Sequence, residues 1–534
     1  MRTIHRRQLL AGAAAGAAAA ALPGPVSAQN PRPLRVAVSA TNMFSLDPRR
    51  SVQNADQFIS RQIYDSLMDP PYGTFDLAYD KVLNEIAESW QVSPDARTWT
   101  VKLRRGIKFH RNAGELTAAD VKYTYDSMTD PKSASTQRIY LSDLETVRIV
   151  DDYTVEFLLN QPNPTFHASG LISIIGSIIP RQAENVPFET FSRSPVGSGP
   201  YEFVTVDPNR GVVLKAFDGY HGARPKIETI EFRYMADPTA RTLAFLKGDL
   251  DIIEGARLPG WVDQLRQQKP DTIFDQTRPG SINTLYFNMS RKPFDDVRVR
   301  RALRYGIDRE VLIKAFGGIA GPSWGVNPPE FPGAFTEKEL PEELRYYYDP
   351  KKARALLAEA GLGRGLKFEI IMTQREDYAS IMLMVQDMWR SIGVDMAIRT
   401  IDHTTYHSEK NKNVNAVVLQ SSTFAPVETQ IPLAYFHSSA VVKSDGKGLN
   451  NYSHYGVIGG GGVDDLLDKA QTESDLQRRQ EIIRQAELKI LADMPAFTIC
   501  TLSFVFARNP RLSLGFDVKA GYARYRLSQA QFTA

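Results

Sequence analysis

Apolar residues recur along this chain at two spacings, and the spacings alternate. Leu34-Arg35-Val36-Ala37-Val38 reads as a strand soon after the start of the chain. Ser281–Arg309 holds both spacings in one stretch. Ile282, Leu285 and Phe287, with Thr284 and Tyr286, give the β-branched and aromatic enrichment of a buried strand, and Asn288 to Pro293 break it with turn residues. Asp295 and Asp296 then cap a helix on which Val297, Val299, Ala302, Leu303 and Ile307 recur at helical spacing, with arginines on the other face. A strand leaving one globular mass for a capped helix that opens the next is a crossing between two lobes. Leu366–Met372 (strand), Tyr378–Ile392 (helix stopped by Gly393) and Val394–Ile401 (strand) predict a parallel α/β lobe beyond it.

The remaining elements fit the same alternation. Glu88–Val101 predicts a hairpin around Pro94-Asp95, followed by a second hairpin and a helix capped by Thr117. Val147–Leu159 and Ile172–Ile179 read as strands, as do Lys226–Tyr234 and Asp251-Ile252-Ile253, the last two flanking a helix at Ala240–Leu246. Tyr348–Leu362 is an amphipathic helix ended by Gly361, and Val463–Leu491 carries two helical patterns. Met494–Arg508 returns as a strand and is expected to be a second crossing, back to the first lobe. With 534 residues the chain exceeds one hydrophobic core, so two or three domains are expected.

Charge changes the picture at the N-terminus. Arg2, Arg6 and Arg7 precede the small-residue apolar run Leu9–Leu22, and Val26-Ser27-Ala28 offers a cleavage site after Ala28. The run is too short and too rich in Ala and Gly to anchor well in a bilayer. Arg6-Arg7 before Gln8-Leu9-Leu10 resembles a twin-arginine signal, although His5 replaces the usual hydroxyl residue. The formal charge of +3 resides in those three arginines, so the mature chain is neutral, which argues against nucleic acid or an anionic membrane as partner. Cys500 is the single cysteine, so no internal disulfide forms, and its apolar neighbours make it a small core residue. No cysteine near the cleavage site is there to be lipidated, so a soluble periplasmic protein is expected.

Catalytic signatures are sparse. No G-x-S-x-G elbow occurs, and Gly197-Ser198-Gly199 sits in a proline-bounded turn. His403 and His407 stand four residues apart without the Glu of an H-E-x-x-H helix, and Thr404-Thr405 favour a polar turn over a metal site. Gly459–Gly462 lacks the Lys-Ser/Thr of a phosphate loop and reads as a flexible surface loop. Neither metal nor cofactor is expected.

Several motifs in order resemble one family. These are Trp90 to Asp95, Trp99, Leu103-Arg104, Phe109-His110 and Leu116–Val121; Pro195–Tyr201; Tyr286-Phe287-Asn288 with Pro293–Leu303 and Gly306–Arg309; and Tyr348–Leu362. They are similar to the extracytoplasmic solute-binding proteins of ABC transporters, in the dipeptide/oligopeptide/nickel-binding family, family 5. The resemblance implies an α/β, periplasmic-binding-protein type II-like fold. It has two lobes with mixed β-sheets, a small extra α/β subdomain and a hinge of two crossing strands. Its boundaries here would be a signal at 1–28, lobe one at 33–280 with 494–534 (subdomain about 70–193), and lobe two at 281–493.

Such a protein captures a small solute and hands it to a membrane permease and its ATPase, as a monomer and without catalysis; a periplasmic hydrolase and a peptide chaperone on the same fold are the alternatives. Met43 and Phe44, in the loop after the first strand, are candidate cleft residues, with ordinary loop packing as the other reading. Arg138, Tyr140 and Trp324 are further candidates, Trp324 equally as an inter-lobe packing residue. Relatives place an arginine for the ligand's carboxylate near Arg375, where an exposed arginine capping nothing is the plain alternative. Phe424 fills the aromatic position of the segment that holds a peptide's amino terminus, but Ala425-Pro426 stands where the acidic residue belongs, and Glu428 is a weak substitute. A buried ammonium without a carboxylate costs several kcal/mol, so a zwitterionic peptide fits poorly. Peptide-like, opine-like, oligosaccharide and metal-chelate solutes all stay open.

Overall fold

The computed structural model describes residues 32–74, 76–133, 135–443, 450–459, 461–520 and 525–533. The signal segment and its cleavage after Ala28 lie outside these residues, as does Gly460 of the glycine run. Two long strands, Ile273–Phe287 and Ala496–Arg508, run antiparallel to one another through the centre of a nine-stranded mixed sheet. On one side Ile273–Phe287 pairs with Val417–Ser422. On the other, Ala496–Arg508 meets Ile252–Glu254, and then come Leu34–Val38, Thr229–Tyr234, Gly211–Ala216 and Tyr201–Asp207. The first strand is parallel to both its neighbours.

The pairing of the two long strands slips between Thr277 and Ser281. Gly280 sits in the slip with φ +72°, and a Cβ there would lie 2.2 Å from the Leu502 carbonyl oxygen, so only glycine fits without strain. Both expected crossing strands are therefore present, as neighbours in one sheet. The apolar core does not stop at them. Ala37, Ile253 and Trp261 pack in one cluster with Leu303, Trp389 and Phe497.

A separate four-stranded antiparallel sheet is ordered Ala87–Val92, Thr98–Leu103, Thr154–Leu159, Leu144–Asp151 and has its own core around Trp99, Phe109, Tyr125 and Phe157. Its helix Ala118–Thr129 starts at Thr117, which forms a reciprocal capping box with Asp120. The expected second hairpin shrinks to a single bridge between Lys108 and Glu115, because Thr98–Leu103 takes Thr154–Leu159 as its second partner. Val147–Leu159 divides into two strands turned at Asp152-Tyr153, and Ile172–Ile179 makes only isolated bridges at Ile172 and Ser177.

Beyond the crossing, the helix Val297–Tyr305 is capped by Asp296, whose carboxylate accepts from the Arg298 amide. Its arginines do not all face outward. Arg300 and Arg304 are buried, and Arg300 donates to the carbonyls of Phe294, Asp295, Asp493 and Met494, tying the helix start to the loop before the return strand. Leu366–Thr373 and Val394–Ile401 pair in parallel on either side of the helix Glu376–Arg390 in sequence, as the rhythm predicts. Asn415 joins this pair to the main sheet by bonding both the amide and the carbonyl of Ile371. Cys500 is fully buried, and burial pushes its thiol up to about 12.

Candidate functional site

Polar side chains gather where the strands Leu366–Thr373 and Val417–Ser422 end. Asp377 stands in the first turn of the helix Glu376–Arg390 and takes two guanidiniums. Arg375 donates to both its oxygens, at 3.0 and 2.7 Å, and Arg257 donates to one of them while bonding Ser281 Oγ at 2.8 Å. Burial alone would raise the Asp377 carboxyl; Arg257 and Arg375 overcome that and hold it below its ordinary value. Arg257 stacks over Phe504 at 4.4 Å, so this cluster links the loop after Ile252–Glu254, both long strands and the Glu376–Arg390 helix. Glu254, which accepts from the Ser39 amide, lies within electrostatic range of both arginines.

Next to Arg375 stand two imidazoles. Contrary to the expected polar turn, His403–Lys410 is a helix, capped by Asp402 accepting from the Thr405 amide. His403 and His407 then share a face with their Nε2 atoms 3.2 Å apart. Burial, then Arg375, pushes His403 down to about 4; burial, then Lys410, pushes His407 to about 3, so both rings are neutral at ordinary pH. Among the described residues no three His, Cys, Asp or Glu side chains gather where a metal could be held.

Further along, the Tyr378 hydroxyl donates to the Ser421 carbonyl at 3.3 Å, Ser422 Oγ bonds the Tyr435 hydroxyl, and Phe424 meets Tyr435 edge-on at 5.8 Å. Tyr140, from the subdomain carrying the four-stranded sheet, is 56% exposed and lies within electrostatic range of Tyr435. Among the sequence candidates, Arg375, Phe424 and Tyr140 therefore border one wall. Met43 and Phe44 sit in the loop after the first strand, where Asp56 accepts both the Phe44 and Ser45 amides, and Phe44 is 52% exposed. Arg138 opens the 3₁₀ turn Arg138–Leu141 and is exposed.

Two candidates lie elsewhere. Trp324 receives the Arg309 guanidinium on its face at 4.1 Å and packs beside Phe335, Leu340 and Leu491. Glu428 is buried in an ion pair with Arg479, while Ala425 and Val427 beside it pack into the core under the four-stranded sheet. Arg257, Asp377, Lys410, Gln420 and Ser422 escaped the sequence reading. The signal for the last two was Gln420-Ser421-Ser422 closing an otherwise apolar strand, since ligands of α/β sheets sit beyond strand ends.

An α/β fold crossed by two long strands, with aromatic and polar groups converging beside the crossing, is a frame for binding a small molecule. The comparisons with known proteins give the class. The profile of the bacterial extracellular solute-binding proteins, family 5 middle region, matches residues 81–442. The chain belongs to that family. It is 28% identical over 477 residues to the dipeptide-binding protein of Escherichia coli K12, covering 84% of this chain and 86% of that one. It is 30% identical over 377 residues to the glutathione-binding protein of the same strain, covering 69% of each.

Among solved structures, the periplasmic binding protein MoaA of A. tumefaciens R10, in complex with mannopinic acid, matches with TM-score 0.79 at 26% identity over 94% of this chain and 99% of that one. The dipeptide-binding protein of Pseudoalteromonas sp. SM9913, with bound Met-Leu, matches with TM-score 0.76 at 22% identity over 94% of this chain and 100% of that one. The fold is thus the periplasmic-binding-protein type, and the chain is a solute-binding protein of the kind that serves ABC import. Among the described residues no helix is long and apolar enough to cross a membrane.

Proposed function

We propose that this chain is a periplasmic receptor that encloses a small polar solute between two lobes and delivers it, unaltered, to an ABC permease and its ATPase. Lobe one would comprise 33–280 with 494–534, including the subdomain at about 70–193, and lobe two 281–493. The observation that carries this reading is the pair of antiparallel strands Ile273–Phe287 and Ala496–Arg508, whose register slips at Thr277–Ser281 and whose flanks hold the polar wall. Rotation at the slip would open and close the lobes, and a solute touching both favours closure by its differential affinity. Arg375, Tyr140 and Phe424 are the sequence candidates assigned to the solute's surroundings, with Met43 and Phe44 on the facing edge. Arg138 is a rim residue, whereas Trp324 and Glu428 are assigned to packing and ion pairing within lobe two. The basic start of the chain directs export, by the twin-arginine route, with cleavage after Ala28. The working unit is a monomer that makes and breaks no covalent bond.

The reading is tested by denaturing the mature protein, purified from its own periplasm, and identifying what is released by mass spectrometry. One intact small molecule per chain is expected. Cleaved products, or turnover abolished by Ser198→Ala, would instead support a hydrolase; a bound polypeptide would support a chaperone.

A further inference from the structure

Lys410 closes the His403–Lys410 helix and is only 3% exposed. Its ammonium donates to Gln420 Oε1 and looks onto the rings of Tyr452 at 5.0 Å and Tyr406 at 5.9 Å. Among the described residues no carboxylate pairs with it. Two aromatic faces and one amide oxygen return part of the several kcal/mol lost on drying an ammonium, yet leave its charge unmatched. The neighbouring cations differ in this respect. Arg257 and Arg375 share Asp377 and feel Glu254, so their charges are balanced from within the protein. Burial pushes Lys410 down to about 7, because drying an ammonium that has no carboxylate beside it disfavours the charged form.

A line of polar groups connects Lys410 with the wall described above. Gln420 Nε2 donates to Ser422 Oγ at 3.1 Å, Ser422 bonds the Tyr435 hydroxyl, and Tyr435 abuts Phe424. The carboxylates near this wall already face cations: Asp377 holds two guanidiniums, Glu254 lies within electrostatic range of the same two arginines, and Glu428, further off, holds Arg479. We infer that the captured solute is a carboxylic acid without a free primary ammonium, its carboxylate displacing the Gln420 amide oxygen from Lys410 and accepting from Ser422 and Tyr435. This assignment rests on the capture reading and narrows it to a solute class.

Calorimetry and thermal shift on the whole mature chain test it with mannopinic acid, gluconate, glutarate and N-acetyl-Met-Leu as acidic probes, and mannose and Met-Leu amide as controls. At least one acid is expected to bind, Lys410→Met to weaken it about tenfold or more, and Lys410→Arg to keep most of the affinity. Wild-type protein supplies a second readout should Lys410→Met misfold. Between about pH 6 and about pH 8.5, His403 and His407 stay neutral, Asp377 stays ionised and Tyr378, Tyr406, Tyr435 and Tyr452 stay protonated. Lys410 is then the group of this wall that titrates, so acid affinity falls as pH rises through that range. Binding of the controls alone, acid binding unchanged in Lys410→Met, or acid affinity flat with pH overturns the inference while leaving capture intact. No shift with any probe counts against both.

Discussion

Arg479→Met isolates the buried ion pair that holds Glu428. Glu428 and Arg479 are 2% and 6% exposed at their side chains, and the guanidinium also donates to the Glu473 carbonyl at 2.9 Å. Removing Arg479 leaves a buried carboxylate with no counter-charge, and breaking a buried pair in this way costs about 3–5 kcal/mol. At about 2.1 cal/mol/K of unfolding entropy per residue, a unit of roughly 500 residues loses about 1 °C of Tm per kcal/mol, so Tm should fall by about 3–5 °C. The double variant Glu428→Gln with Arg479→Met removes the stranded charge and should recover most of that loss. Because Ala425 and Val427 seat this segment on the subdomain core, the single variant should also weaken solute binding. Differential scanning calorimetry of wild type and the variants reads all three. A drop below about 1 °C, or no recovery in the double variant, would refute the claim that Glu428 serves Arg479 rather than the solute.

Other positions give equally definite expectations. Burial pushes the Glu487 carboxyl up to about 7, although it accepts from the Val326 and Asn327 amides. A raised acid holds its proton better folded than unfolded, so its stabilising share is present below the unfolded value near 4.5 and is lost as pH rises towards 7. Glu487→Gln, which cannot ionise, should therefore gain on wild type by up to about 3 kcal/mol between about pH 4.5 and about pH 8 in urea melts. Gly280→Ala puts a methyl 2.2 Å from the Leu502 carbonyl oxygen at φ +72°, so it should cost about 1–3 kcal/mol and slow solute-driven closure in stopped-flow fluorescence. For Lys410, whose pKa is lowered when folded, the folded chain prefers the neutral amine. Wild type should then gain stability over Lys410→Met as pH climbs from about 7 towards the unfolded value of 10.5.

Strands and helices with a clean period were readable in the sequence: Leu34–Val38, the Leu366–Thr373 to Val394–Ile401 unit, and both crossing strands. Local pattern failed where a distant partner decided. Thr98–Leu103 kept its neighbour Ala87–Val92 but took the distant Thr154–Leu159 on its other edge, and Arg300 was drawn inward by carbonyls at Asp493 and Met494. Arg375 could be picked from its place before a helix, but its partner Asp377 needed Arg257 from more than a hundred residues away to become a cluster. Lys410 was invisible because a lysine in a polar stretch reads as a solvated charge. Only the tyrosines brought over it from Tyr406 and Tyr452 show otherwise.

Small-angle X-ray scattering reaches the central claim most directly. The mature chain is measured stripped of its solute, then with that solute restored, and the solute is weighed again afterwards by mass spectrometry. A smaller radius of gyration on loading, with the solute recovered at its original mass, is the predicted result. An unchanged radius, or a solute returned in fragments, would contradict a receptor that works by shutting around its guest.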